Sequence, residues 1–529
     1  MEIPRVGVPD ALATRLSMAE QHEYLSRRSV LRGGLTAAAV VAVGPTLLSG
    51  SAIAQGDKVI PFGRHLAFGR NPRHDVTVGW QVPVAVRDPF VRIGTDPHDL
   101  GHRVQAEVRS LHSEVAGVIA PTDQLYLHAS LTGLRPGRTY HYAVGHRGYD
   151  GLDAVSSFTT APARGFPCDG FTFTAFGDQG VSTAALAENG VVAQQNPAFH
   201  LLAGDIAYAD PSGHGYPIGS VPDGSHDVFD PKVWDAYFKQ IEPVASKVPW
   251  MVATGNHDME ALYSADGYGG QVARFDFPGS GPRGCPTAYS FIYGNVGVIS
   301  LDANDVSFEI PANLGYSDGG QTAWLRRRLA FLRVQPDVDF VVVFFHHCAY
   351  STTSAHASEG GVRAEWVPLF DRYKVDLVIN GHNHVYERTD ALRGGVVVTE
   401  VPIGATVRPD TDGTVYATCG AAGRGLYSFP VPDTYAGHET PHIEVPSYSW
   451  ARGGTKVTET IHWSRVRYTG YAFLALDVKP AHRGGQTTIT VRVLSNTGVE
   501  IDRFVLSRTS GLHIGIDLGA ANGFDIGDL

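Results

Sequence analysis

Five short apolar runs, each broken at once by a small polar signature, constrain this chain more than any other feature. Phe171–Phe176 is followed by Gly177-Asp178-Gln179-Gly180, His200–Ala203 by Gly204-Asp205-Ile206-Ala207-Tyr208, and Trp250–Ala253 by Gly255-Asn256-His257-Asp258. Phe340–Phe345 runs into His346-His347, and 377–379 into Gly381-His382-Asn383-His384. Continuous apolar runs of this length, bounded by turn residues, read as strands buried on both faces. Between them lie amphipathic stretches such as 322–332, where Leu325, Leu329 and Leu332 share one helical face and Arg326, Arg327 and Arg328 point elsewhere, as a solvated face would. Alternating strands and helices of this kind predict an α/β fold whose polar strand ends collect on one rim.

Those strand ends carry oxygen and imidazole ligands suited to hard and borderline metals. Two ions held about 3.5–4 Å apart repel each other and need a shared anionic ligand, for which Asp205 is the candidate. The amide oxygen of Asn256 adds a neutral ligand. Each signature alone is weak, because Gly-Asp and Asn-His pairs commonly serve turns and caps; all five in one order are a strong signal.

The remainder of the chain has a different texture. Residues 58–162 show short alternating segments, 76–82, 91–94 and 105–109, at the spacing of a β-sandwich. Within them, Leu131-Thr132-Gly133-Leu134-Arg135-Pro136-Gly137-Arg138-Thr139-Tyr140-His141-Tyr142 resembles a fibronectin type III domain, with Trp80 as its core tryptophan. Residues 161–167 read as a linker, 168–508 as the catalytic unit, 429–465 as an irregular loop within it, and 509–529 as a loose tail.

The first 54 residues read as a signal peptide: Ser26-Arg27-Arg28-Ser29-Val30-Leu31-Arg32 precedes a short apolar run, then Ala52-Ile53-Ala54 before Gln55. This predicts twin-arginine export to the cell envelope or medium. A membrane anchor is the alternative, against which the run is short and rich in Ala and Gly. A net charge of −11 without clustered Lys and Arg argues against a nucleic-acid partner. Cys168, Cys285, Cys348 and Cys419 form no CxxC pair, so a zinc ribbon is unsupported, while one or two disulfides are permitted outside the cell.

The order of the five signatures resembles that of the calcineurin-like metallophosphoesterases, and in detail that of the purple acid phosphatases, which also carry an N-terminal fibronectin-like sandwich. The wider superfamily has a His two residues after its first Asp; here Asp178 is followed by Gln179 and Gly180, and Tyr208, three residues after Asp205, matches the tyrosine that replaces that ligand. The resemblance implies an α/β/β/α sandwich preceded by the all-β domain. It implies a ferric ion on Asp178, Tyr208 and His384, a divalent ion (Fe, Zn or Mn) on Asn256, His346 and His382, and Asp205 between them. His346 is preferred to His347 because it completes Val-x-x-His, with Tyr350 four residues on; the family's Pro-Trp is Cys348-Ala349 here. His257 and His356, the latter opening His356-Ala357-Ser358-Glu359-Gly360, are expected to touch substrate, and Tyr386, Glu387 and Arg388 to support the last ligands.

The implied reaction is hydrolysis of phosphate monoesters by a metal-bound hydroxide at acidic pH, and a homodimer is expected by resemblance only. A phosphodiesterase or nucleotide hydrolase on the same scaffold is the nearest alternative, which the rim loop 213–230 does not settle. A secreted binding protein built on the fibronectin-like domain is the alternative of another class, and all seven ligand positions being filled speaks against it.

Overall fold

The computed structural model describes residues 59–164, 169–215, 229–430, 439 and 444–511. The twin-arginine segment, the cleavage site before Gln55, Cys168, most of the 213–230 loop and the tail from residue 512 lie outside these residues.

The N-terminal unit is a sandwich of two four-stranded sheets. Trp80, on strand Val76–Val82, is buried in its core. The stretch 105–109, expected as one strand, is instead where the chain changes sheets. His102–Gln105 pairs with Phe90–Gly94 in one sheet, and Glu107–Val115 with Ile119–Leu131 in the other. Ala106 between them is buried and donates its N–H to Pro89 O at 2.9 Å, so a small side chain turns the corner. Tyr140 Oη accepts the Arg135 N–H at 2.9 Å and closes the Gly-Pro-rich turn.

The sandwich is docked on helix Lys232–Ala245. Tyr142 Oη donates to Ser246 O at 2.7 Å, Arg64 pairs with Glu242 at 2.6 Å, and the amides of Gln81 and Gln124 reach Asp235 at 2.8 and 2.7 Å.

The C-terminal unit has two seven-stranded sheets packed face to face. In the first, Trp250–Ala253, His200–Ala203 and Phe171–Phe176 are parallel neighbours, and Ala472–Lys479 continues the sheet antiparallel. In the second, Val296–Ser300, Phe340–Phe345, Leu377–Asn380 and Val415–Cys419 run parallel. Phe340–Phe345 explains the continuous apolar runs. Phe340, Val342 and Phe344 face the core shared with the first sheet, while Val341, Val343 and Phe345 pack with Leu325, Leu329 and Leu332 of helix Gly320–Val334. With period two and both faces covered, no position is left for a polar residue. On that helix Arg326 and Arg327 are exposed and Arg328 is half-buried.

The expectation of an irregular loop over 429–465 is corrected. Val445–Ala451 and Thr455–Ile461 form an antiparallel hairpin around Gly453 and Gly454, both at positive φ, and Ser464–Tyr468 joins the second sheet. The hairpin extends the short strand Ser358–Glu359, directly after His356. Cys285, Cys348 and Cys419 are buried free thiols. Among the described residues, no helix is long and apolar enough to cross a membrane.

Candidate metal centre

The loops bearing the predicted ligands come from both sheets. Asp178, Asp205, Tyr208 and Asn256 follow parallel strands of the first, and His346, His382 and His384 follow neighbouring strands of the second. The loops are laced together, Asp178 N–H donating to Gly204 O at 3.0 Å and Gly381 N–H to His346 O at 3.0 Å. Asp178 (φ 59°), Asp205 (52°), Tyr208 (59°) and His382 (66°) hold left-handed backbone. Non-glycine residues adopt it rarely, and it is tolerated where surrounding structure over-determines a functional geometry.

Two clusters result. In one, Tyr208 Oη lies 2.9 Å from Asp178 Oδ1 and 3.0 Å from His384 Nε2, with His384 Nε2 3.2 Å from Asp178 Oδ1. In the other, His346 Nε2 lies 3.1 Å from Asn256 Oδ1, 3.2 Å from Asp205 Oδ2 and 3.2 Å from His382 Nδ1.

In both clusters the outer ring nitrogens are already engaged. His346 Nδ1 is taken by Ala203 O at 2.8 Å, His384 Nδ1 by Gly425 O at 2.6 Å, and His382 Nε2 by Glu309 Oε2 at 2.9 Å. With those nitrogens as donors, the inward-facing ones of His382 and His384 carry lone pairs turned into the clusters, while Nε2 of His346, between Asp205 and Asn256, draws a second proton to the place a cation would fill. Adjacent ligands of an octahedral ion bound at about 2.1 Å stand roughly 3 Å apart, the spacing both clusters show. The donor set of carboxylates, imidazoles, an amide and a phenol suits iron, zinc or manganese.

The electrostatics agree. Burial opposes a second proton on His346, yet Asp205 and Asp178 hold its pKa up to about 9. Burial would raise the Asp205 carboxyl, but His346 and His257 bring it well below the usual range. Burial, then Asp178 and Asp205, push Tyr208 well above the ordinary phenol, so it keeps its proton until a strongly polarising cation displaces it. A buried pocket that draws a proton onto an imidazole this strongly favours a cation.

Comparison with known proteins decides the family. The family model for the purple acid phosphatase N-terminal domain matches residues 61–160, and that for calcineurin-like phosphoesterases matches 172–386. An uncharacterised protein of Mycobacterium tuberculosis is 33% identical over 492 residues, 85% of this chain and 87% of its own length. Purple acid phosphatase 23 of Arabidopsis thaliana is 28% identical over 319 residues, 58% of this chain and 64% of the relative. This chain belongs to the purple acid phosphatase-like metallophosphoesterases. The solved structure of purple acid phosphatase PPD1 from yellow lupin (Lupinus luteus) seeds, at 21% identity, shares its fold with a TM-score of 0.63 over 85% of this chain and 75% of that one.

In this metallophosphoesterase the two remaining predicted histidines flank the clusters. His257 donates its backbone N–H to Asp205 Oδ1 at 2.9 Å, and its Nδ1 bonds Asp210 O at 2.7 Å, leaving Nε2 3.8 Å from Asp205 Oδ2. Burial outweighs Asp205 and pushes His257 down to about 4, so it is neutral above that pH. His356 bonds Glu309 Oε1 through Nδ1 at 2.6 Å, with Nε2 3.3 Å from Tyr427 Oη. His347 is buried with neither ring nitrogen hydrogen-bonded, its ring 4.4 Å from that of His382, so His346 is the one that faces the cluster. Tyr386 and Arg388 bond Asp502 at 2.6 Å each, and Glu387 takes the Ser351 and Thr352 hydroxyls, which tethers the strand leaving His384.

Sequence reasoning missed Glu309, Arg424 and Tyr427. Tyr427 stacks on His384 at 4.0 Å and Arg424 lies 4.1 Å over the Tyr208 ring. Both follow the parallel strand Val415–Cys419, whose Gly420-to-Gly425 stretch is a further glycine-rich strand end that could have revealed them. Glu309 sits in a stretch with no motif.

Proposed function

We propose that this chain is an exported binuclear phosphatase that hydrolyses phosphate monoesters. A ferric ion would be held by Asp178, Tyr208 and His384, and a divalent iron, zinc or manganese by Asn256, His346 and His382. Asp205, whose charge reaches both Tyr208 and His346, would join them. The observation that carries the reading is the pair of buried carboxylate, imidazole, amide and phenol clusters at ligand spacing, each with its outer nitrogens already anchored. Export is supported by Arg27-Arg28 and the Ala52-Ile53-Ala54 site.

When bound, the ions supply Lewis acidity, polarising phosphoryl oxygens and lowering the pKa of water. Asp205 offsets the repulsion between two cations, and the neutral Asn256 amide leaves one of them electrophilic. His356, with Nδ1 on Glu309, has Nε2 as the atom at which a proton is held for the leaving alkoxide. His257, with Nδ1 donating to Asp210 O and no second proton above about pH 4, presents Nε2 beside Asp205 as a hydrogen-bond acceptor for a water or a protonated phosphoryl oxygen.

The test compares p-nitrophenyl phosphate with bis(p-nitrophenyl) phosphate across pH. Higher kcat/KM on the monoester with an acidic optimum supports the proposal. A preference for the diester supports the phosphodiesterase reading, and an optimum above neutrality counts against the ferric ion.

A further inference from the structure

Glu309 belongs to none of the strand-end signatures, yet its two carboxylate oxygens reach two different imidazoles. Oε2 lies 2.9 Å from His382 Nε2, and Oε1 lies 2.6 Å from His356 Nδ1. The imidazoles themselves are neighbours, their ring centroids 4.1 Å apart and tilted by 38°. Each oxygen meets one nitrogen, the pattern of two separate N–H donors on one carboxylate rather than of a chelated ion. The Glu309 side chain is 9% exposed, so these charge-assisted bonds are little screened.

Glu309 is itself held in place. The buried Glu359 carboxylate accepts the backbone N–H of Phe308 at 2.9 Å and of Glu309 at 3.1 Å, and the Ser307 hydroxyl at 3.0 Å. It also caps helix Gly360–Glu365 through Gly361 N–H at 3.0 Å. His356 and Glu359 are three residues apart, so one short segment supplies both a histidine that Glu309 orients and the carboxylate that fixes the Glu309 backbone.

We propose that Glu309 is a positioning residue shared by the divalent-ion site and the proton-holding histidine. Its Oε2 fixes the His382 tautomer with the Nδ1 lone pair turned into the cluster, and its Oε1 fixes His356 with Nε2 turned toward Tyr427 Oη, beside the cluster. Ion binding and placement of the proton donor are therefore coupled through one carboxylate. The inference rests on the metal-centre reading above.

The test uses the full-length protein, stripped by chelator and titrated with Zn2+ by calorimetry, alongside kcat and KM on p-nitrophenyl phosphate at saturating Zn2+. Glu309→Gln keeps the shape but leaves only one acceptor oxygen; Glu309→Asp, too short to reach both rings, serves if the first variant does not fold. The expected result is about 10- to 100-fold weaker Zn2+ binding, the range typical for loss of a carboxylate behind a ligating histidine. His356→Ala should leave Zn2+ affinity unchanged and lower kcat, and Glu309→Gln added to it should weaken Zn2+ binding with no further loss of kcat. Unchanged Zn2+ affinity in Glu309→Gln, or kcat losses that simply multiply in the double variant, would overturn the inference. A wild-type chain that binds no Zn2+ would overturn the metal-centre reading with it.

Discussion

Tyr208 Oη stands 2.9 Å from Asp178 Oδ1, although the two residues leave different strands and each does so from left-handed backbone. Two strained turns are thus spent on bringing a phenol and a carboxylate together beside a lone-pair nitrogen of His384. A water-filled cleft needs no such arrangement. A cation-binding one does.

The packing behind the ligands is tight enough to test by adding one carbon. Gly255 has ordinary extended backbone (φ −105°), but a Cβ there would overlap Asp205 Oδ1 and stand 2.5 Å from Asp205 N. Gly255→Ala should cost about 1–3 kcal/mol through overpacking and displace the shared carboxylate. Urea unfolding and metal analysis are the measurements. Full metal content at unchanged stability would contradict the close fit.

Asp258, fully buried, ties two ligand loops by accepting the N–H of Gly255 at 2.8 Å and of Ile206 at 3.0 Å. Asp258→Ala leaves two buried donors unmatched, at about 1–3 kcal/mol each, for an expected loss of roughly 2–6 kcal/mol. A melting temperature within a degree or two of wild type would rule this out.

The domain interface carries a pH dependence. His128 is buried against helix Gly269–Arg274, bonding Ala273 O through Nε2 at 2.9 Å, and burial pushes its pKa down to about 4 despite Asp276, with Arg109 and His65 adding to the fall. A base with a depressed folded pKa binds its proton more readily in the unfolded chain. Its stabilising contribution is complete above about pH 6.5 and lost as pH falls through about 4, on the order of 3 kcal/mol. The stability gap between wild type and His128→Gln should therefore narrow on going from pH 7 to pH 4. Parallel stability curves would contradict the assignment.

Much of the site was legible because the chemistry and the fold share a signal. Strands such as Phe171–Phe176 and Phe340–Phe345 are buried on both faces, so the first polar residue after each run marks the strand end and the ligand together. Hairpin 445–461 was illegible for the opposite reason: Thr455–Ile461 is exposed along most of its length, so no apolar pattern marks it, and only its β-branched residues and Gly453-Gly454 hint at it. Glu309 reaches the site through a loop that Glu359 anchors, a tertiary relation with no sequence period. At Ala106 the apolar–polar alternation of the sequence runs on through a change of sheet, and Val108, in step with buried Ala106, is exposed, so period two marked neither the partner nor the boundary.

The most direct test of the account is metal content together with a visible absorption spectrum of the purified protein and of Tyr208→Phe. The account predicts two metals per chain including iron, with a broad visible band in the wild type that disappears in the variant. A colourless wild type with two divalent ions and a spectrum unchanged in Tyr208→Phe would contradict the ferric assignment.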